Sequence, residues 1–238
     1  MSAELKPVMA SLERAATKAT RDGMLRYGIP NDHAIGVTMG SLKVIAKKLG
    51  RDHALADALW KTKVYEARLL ATLVDEPERV TAAQMDRWCR DFDNWGICDT
   101  ACFALFDRTA HAWKKVEQWS SKKGEFQKRA SFALLWSLSV HDKSSGDAPF
   151  LRGLELVEGA ADDDRTYVRK AVNMALRAVG KRNRALNIAA VRTSRALAAG
   201  DGATARWIGK DALRELTSAG VTSRLPTGKG TIRPRGSK

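Results

Sequence analysis

EFQKRASFALLWSL, residues 125–138, sets a cation at Arg129, a small side chain two residues on at Ser131 and an aliphatic one six residues on at Leu135. The same spacing recurs around Arg68 (Leu70, Val74), Asp99 (Ala101, Leu105), Lys170 (Val172, Leu176) and Lys210 (Ala212, Leu216). Side chains at such offsets share a helical face, so each stretch predicts a helix with one buried face. Successive intervals of 31, 30, 41 and 40 residues leave room for two antiparallel helices per unit. That period belongs to stacked helical repeats. The expected fold is all-α, a curved helical solenoid with a concave groove. No run of period two long enough to predict a strand interrupts it.

The rest of the chain divides accordingly. A helix is expected over residues 5–27, closed by the Gly28-Ile-Pro30 break. The next has Thr38 or Ser41 as its cap and ends at Gly50. Helix pairs follow at 53–61 and 63–75, at the Thr81-capped AAQMDRWCRDF with WGICDTACFALF, and at 110–122 and 125–140. Helices over 149–160, from Arg165, over 183–199 and over 202–218 complete the array. Residues 1–219 are expected to form one domain. Residues 220–238, with their Gly, Pro, Arg and Lys, are expected to form a basic, disordered tail.

Charge is asymmetric. Residues 1–164 hold 24 Lys/Arg and 24 Asp/Glu, whereas residues 165–238 hold 17 against 3, so the whole formal charge of +14 lies in the last third. Such a concentration attracts phosphate backbones. In a solenoid the repeat-equivalent residues project toward a shared partner, and a row of cations broken by one acid suits a polyanion with one reactive cationic point. Arg68, Arg129, Lys170 and Lys210 are therefore candidate phosphate contacts. Arg177, in the basic third, is another. Lys170 and Lys210 could also act as Schiff-base nucleophiles, although their register with Arg68 and Arg129 favours phosphate.

Asp99 departs from the row. Trp95 stands one helical turn before it, on the same face. An aromatic plane beside a carboxylate can hold a sugar or base while the charge faces developing positive charge. The competing reading is structural: a Trp anchoring a helix start and an Asp paired with Arg129 or Arg68 of a neighbouring unit.

YGIPNDHAIGV, ALWKTKVYEARLLATLVDEP, DRWCRDFDNWGICD, FQKRASFALL and YVRKAVNMALR followed by GKRN occur in this order along the chain. Together they make the sequence, from about Arg21 to Leu216, resemble the AlkD-type DNA alkylation repair family of HEAT-like repeat glycosylases. The resemblance implies an all-α fold, a right-handed α-α superhelix of HEAT-like helical repeats whose concave groove clamps duplex DNA. It also implies hydrolysis of the N-glycosidic bond of cationic N3- or N7-alkylated purines, without metal or organic cofactor and with the lesion held inside the duplex. It places Trp95 against the lesion's deoxyribose, Asp99 as the catalytic acid residue and Arg129 on phosphate. Met174 occupies the position of a family tryptophan. Methionine keeps apolar contact with the sugar but lacks a flat rigid face. Asp99 is expected to be ionised at neutral pH, as its reference pKa of about 3.9 implies.

Two further readings stay open: a noncatalytic module for damaged or branched DNA, and a protein-interaction scaffold for an acidic partner. His33, His53, His111 and His141 are scattered without a metal-ligand motif, and Cys89, Cys98 and Cys102 lack a C-x-x-C pair, so a reduced, metal-free, cytoplasmic monomer is expected. Trp60, Trp88, Trp113, Trp119, Trp136 and Trp207 are spaced like core anchors of successive units. No apolar run reaches bilayer length.

Overall fold

A computed structural model describes residues 4–226 and is helical throughout, with no strand among the described residues. Fourteen α-helices follow in order: α1 (Leu5–Ala15), α2 (Lys18–Gly23), α3 (Met39–Leu49), α4 (His53–Lys61), α5 (Tyr65–Val74), α6 (Ala82–Arg90), α7 (Trp95–Ala104), α8 (Ala112–Ser120), α9 (Glu125–His141), α10 (Ala148–Gly159), α11 (Thr166–Gly180), α12 (Arg184–Ala199), α13 (Ala203–Leu216) and α14 (Ala219–Thr222). Short 3-10 turns cover Leu25–Tyr27 and Phe106–Arg108.

Helices α3, α5, α7, α9, α11 and α13 lie side by side as one layer, each packed on the next, and α4, α8 and α12 pair with them from the other side. The helical solenoid expected from the repeat spacing is therefore present. Arg68, Asp99, Arg129, Lys170 and Lys210 all fall within the first layer.

Side-chain capping explains six of the fourteen helix starts, that of α2 included. Thr38, Asp52, Thr81, Asn94 and Asn183 each accept a backbone N–H three residues ahead, satisfying a donor that the first helical turn leaves unpaired. The single helix expected over residues 5–27 is broken instead. Ala16 is extended, and the Thr17 side chain caps a new start at α2. The chain past residue 219 opens with α14 rather than with irregular backbone, and residues 227–238 of the expected tail lie outside the described residues.

One apolar core runs the length of the stack. Trp60 stacks on Trp88 with centroids 3.9 Å apart, and Phe106 lies between Trp88 and Trp119. Indole N–H groups reach acids of the adjacent repeat: Trp60 to Asp91, Trp119 to Asp86 and Trp113 to Asp142. A large ring thus fills the inter-repeat space while its one polar atom fixes register. Trp207 breaks the expectation. It is 45% exposed, with the Arg169 guanidinium against its ring. No helix among the described residues is long and apolar enough to cross a membrane.

Helices α12 and α13 approach closely at Gly209. A Cβ there meets the Ala198 backbone nitrogen at 2.4 Å and the Ser194 carbonyl oxygen at 2.6 Å. Neither backbone atom can yield without moving α12. Gly209→Ala is expected to lower stability by about 1–3 kcal/mol, the usual cost of overpacking, read as a lower urea midpoint at unchanged slope.

Candidate functional site

Asn94 decides where the site begins. Its carboxamide oxygen accepts the Ile97 N–H at 3.0 Å, which makes Trp95 the first residue of α7 and sets Asp99 one turn deeper. The Trp95 indole N–H donates to the Tyr27 carbonyl oxygen at 2.9 Å, and the ring packs against the cluster of Met24, Ile29 and Ala34. The N-terminal turn is thereby drawn against the first layer of helices.

From α9, Arg129 reaches Asp99 in a two-point contact. Nε donates to Oδ1 at 2.8 Å and Nη2 to Oδ2 at 2.6 Å, while Nη1 donates to the Tyr167 carbonyl oxygen at 2.8 Å. Arg129 is buried, and the Asp99 side chain keeps only 16% of its surface. Burial pushes the Asp99 carboxyl above the usual carboxylate range, against the hydrogen bond and charge of Arg129, which pull it down. Both carboxyl oxygens accept N–H groups, the arrangement of an ionised carboxylate.

Tyr167 completes the enclosure. Its backbone N–H donates to Glu125, its ring lies 5.1 Å from that of Phe126, and its hydroxyl donates to the Gly28 carbonyl oxygen at 3.1 Å. Gly28 is left-handed (φ 67°), and a Cβ there would stand 2.7 Å from the tyrosine oxygen, so glycine is required on both counts. The turn at residues 26–28 and the helices α7, α9 and α11 enclose a cavity of about 450 Å³. Trp95, Arg129, Tyr167, Lys170 and Met174 line its helical wall, and Arg26, Tyr27 and Gly28 its rim.

Four of the residues singled out from sequence thus share one cavity: Trp95, Met174, Arg129 and Lys170. Asp99 lies behind Arg129, joined to it and outside the lining. Lys210 is exposed on α13, further along the row. Arg177 pairs with Glu215 and, at 3.7 Å, with Asp211.

Arg68 does not reach the groove surface. It is 6% exposed, lies 5.0 Å from the Trp60 ring centroid, donates to the Trp60 and Asp91 carbonyl oxygens and sits 3.7 Å from the Asp91 carboxylate. Its cation closes an inter-repeat contact, as that of Arg129 does, but Arg68 lines no part of the Trp95 cavity, so the phosphate contact expected of it there is withdrawn. Sequence reasoning missed Tyr27 and Tyr167. The register held a signal for the second, because Tyr167 precedes Lys170 by the same three residues that separate Phe126 from Arg129.

Removing Arg129 isolates a buried carboxylate. Arg129→Met is expected to cost about 3–5 kcal/mol at neutral pH, as for one partner of a buried pair. Without its cation Asp99 retains only burial, which raises its folded pKa. The stability of the variant should then be highest at acid pH and fall as pH rises through that value. Arg129→Met combined with Asp99→Asn should flatten the dependence. Chemical denaturation from pH 4 to 8 checks both, and a pH-independent loss in the single variant would contradict the coupling.

Comparison with known proteins agrees with this architecture. The family model described as DNA alkylation repair enzyme matches residues 8–216. A solved structure described as "A new family of proteins related to the HEAT-like repeat DNA glycosylases with affinity for branched DNA structures" superposes with a TM-score of 0.74 at 21% sequence identity, covering 90% of this chain and 95% of that one. Among curated proteins no sequence matches. The match extends from α1 to the last residue of α13, the whole stack that builds the cavity, and the chain belongs to the DNA alkylation repair enzyme family.

Proposed function

We propose that the groove binds duplex DNA and that the protein is a glycosylase for cationic N3- and N7-alkylated purines, with Asp99 as its catalytic carboxylate. The observation that carries this reading is the convergence, from three separate helices, of Trp95, Arg129, Lys170 and Met174 on one cavity with a carboxylate directly behind it.

A purine alkylated at N3 or N7 is positively charged and departs as a neutral base, taking the electron pair of the glycosidic bond. The base needs little acid assistance. The cost lies in the oxocarbenium-like sugar left behind, and a carboxylate nearby opposes it by charge. Water then adds to the sugar carbon and loses its proton to Asp99 or solvent. Trp95 and Met174 supply apolar surface for the deoxyribose, and Lys170 and Lys210 supply phosphate contacts, as Arg177 does where its acids release it. Neither a metal nor an organic cofactor enters the scheme.

Arg129 links binding to chemistry in this reading. In the free protein its guanidinium is divided between Asp99 and the Tyr167 carbonyl. A backbone phosphate competes for the same planar donor set. When it draws Arg129 away, the Asp99 charge is no longer cancelled, and it faces the sugar.

A second reading, a noncatalytic holder of branched or damaged DNA, is favoured by two observations. Both Asp99 oxygens are already taken, and Met174 stands where the resembled glycosylases carry tryptophan. The solved relative is itself described as having affinity for branched DNA structures.

Release of 7-methylguanine and 3-methyladenine from methylated duplex DNA separates the two. Under the enzymatic reading the wild type releases base, Asp99→Asn is slower by about 100-fold or more, and Met174→Trp raises the rate or widens the adducts accepted. Equal release by wild type and Asp99→Asn would remove the role given to Asp99. Salt-sensitive DNA binding with no release by any variant would select the binding module.

A further inference from the structure

Repeat register places four aromatic side chains one turn before four cations: Tyr65 before Arg68, Phe126 before Arg129, Tyr167 before Lys170 and Trp207 before Lys210, and Tyr65 packs against the core. Phe126 and Tyr167 touch, and Tyr167 is closed over by the Gly28 turn. Trp207 has no such cover. It is 45% exposed, and among the described residues only Tyr27 is another large aromatic of such exposure.

The surroundings of Trp207 are cationic. The Arg169 guanidinium carbon lies 5.5 Å from the ring centroid, and Arg169 forms no ion pair among the described residues. Its Nε is buried with no hydrogen-bond partner, so the stacking contact is what holds this cation in place. Lys170 and Lys210 are exposed and likewise without an ion pair among the described residues. The acids on the same helix are already paired: Asp211 with Arg177 and Arg214, with a further hydrogen bond from the Asn173 carboxamide, and Glu215 with Arg177 and Lys181. A nearly half-exposed indole thus stands among positive charges that no acid pairs with among the described residues.

We propose that Trp207, backed by Arg169, is a stacking platform for an unpaired nucleobase at the C-terminal end of the groove, with Lys170 and Lys210 on the adjoining phosphates. In an intact duplex the base faces are occupied by their neighbours. Only a strand that has left the duplex, at a gap, flap or branch, offers a face to an indole. Stacking of this kind tolerates any base, and the phosphate of the same nucleotide meets the cations. The proposal rests on the DNA-binding reading above but not on catalysis. It assigns the two ends of the groove different tasks: paired DNA at the Trp95 cavity and unpaired DNA at Trp207.

The test uses the full chain and two unmodified labelled DNAs, a blunt duplex and the same duplex with a single-stranded extension of about six nucleotides, a length within the usual span of a single-strand site. Fluorescence anisotropy is expected to show tighter binding of the extended DNA. Trp207→Ala should weaken that complex by about 10-fold or more, in line with the loss of one stacked base, and leave the blunt duplex unchanged. Trp207→Phe, which keeps a flat ring, should retain most of the preference. Equal wild-type affinity for the two DNAs overturns the platform, as does a Trp207→Ala loss shared by both or seen with neither. Failure to bind either DNA removes the DNA-binding reading along with it. Selective loss in Trp207→Ala beside an absence of base release leaves the platform standing and removes only the glycosylase.

Discussion

Arg129 and Asp99 face each other because a period of about thirty residues brings equivalent positions of α7 and α9 side by side. The third guanidinium nitrogen extends the contact to the backbone of α11. One side chain therefore sets the spacing of three consecutive helices of the first layer. Burying both charges costs several kcal/mol per ion, and their attraction offsets this only when geometry is close to ideal and the remaining donors are satisfied. Here the donors are satisfied, through Tyr167. An apolar pair of the same volume could hold the helices together as well or better. What it could not provide, under the proposed function, is a cation for which phosphate competes and a carboxylate freed when it does.

The N-terminal turn depends on that arrangement in its own way. It contributes little to the main core, and its small cluster of Met24, Ile29 and Ala34 is separate. Two hydrogen bonds, from the Trp95 indole and the Tyr167 hydroxyl, tie it across the cavity. A second restraint comes from Glu66, fully buried on α5, whose carboxylate accepts the backbone N–H groups of Ile35, Gly36 and Val37. The loop behind the turn is thus fixed by a charge-assisted network, while the turn itself is held by two neutral bonds that are weaker. The rim of the cavity is the part of the site with least holding it.

Much of this was legible in the chain, for a simple reason. A helical repeat converts sequence distance into spatial neighbourhood, so period and register carry the fold, the core face and the shared side of Trp95, Arg129 and Lys170, whereas Met174 was singled out only by the family resemblance. The same register misled at Arg68. A position in the row says where a Cβ points, but Arg68 finds Trp60 and the Asp91 carbonyl within reach and is buried by them. Trp207 is the mirror case. Its spacing matches the buried tryptophans, yet among the described residues no further repeat follows α13 to cover it, only the short α14. Tyr27 could not be read at all. Its place depends on a turn 68 residues away from Trp95 closing back on α7, which no local pattern encodes.

The charge asymmetry needs a similar correction. Seventeen cations against three acids in the last third suggests a broad phosphate-binding face, yet several of those cations already pair with acids or rings of the protein. Arg165 is committed to Asp163, Arg182 packs over Phe150, and Arg177, Lys181 and Arg214 hold Asp211 and Glu215. Nearby acids, two of them from within the same third, are neutralised by cations that then have little charge to offer DNA. What remains unpaired along the inner row is narrower, chiefly Arg169, Lys170 and Lys210. Because phosphate affinity follows the number of cations that displace counterions rather than net charge, the groove has a short electropositive track. That track runs from the Trp95 cavity, which Lys170 lines, toward Trp207, and under the proposed function it gives a bound strand a direction along the stack.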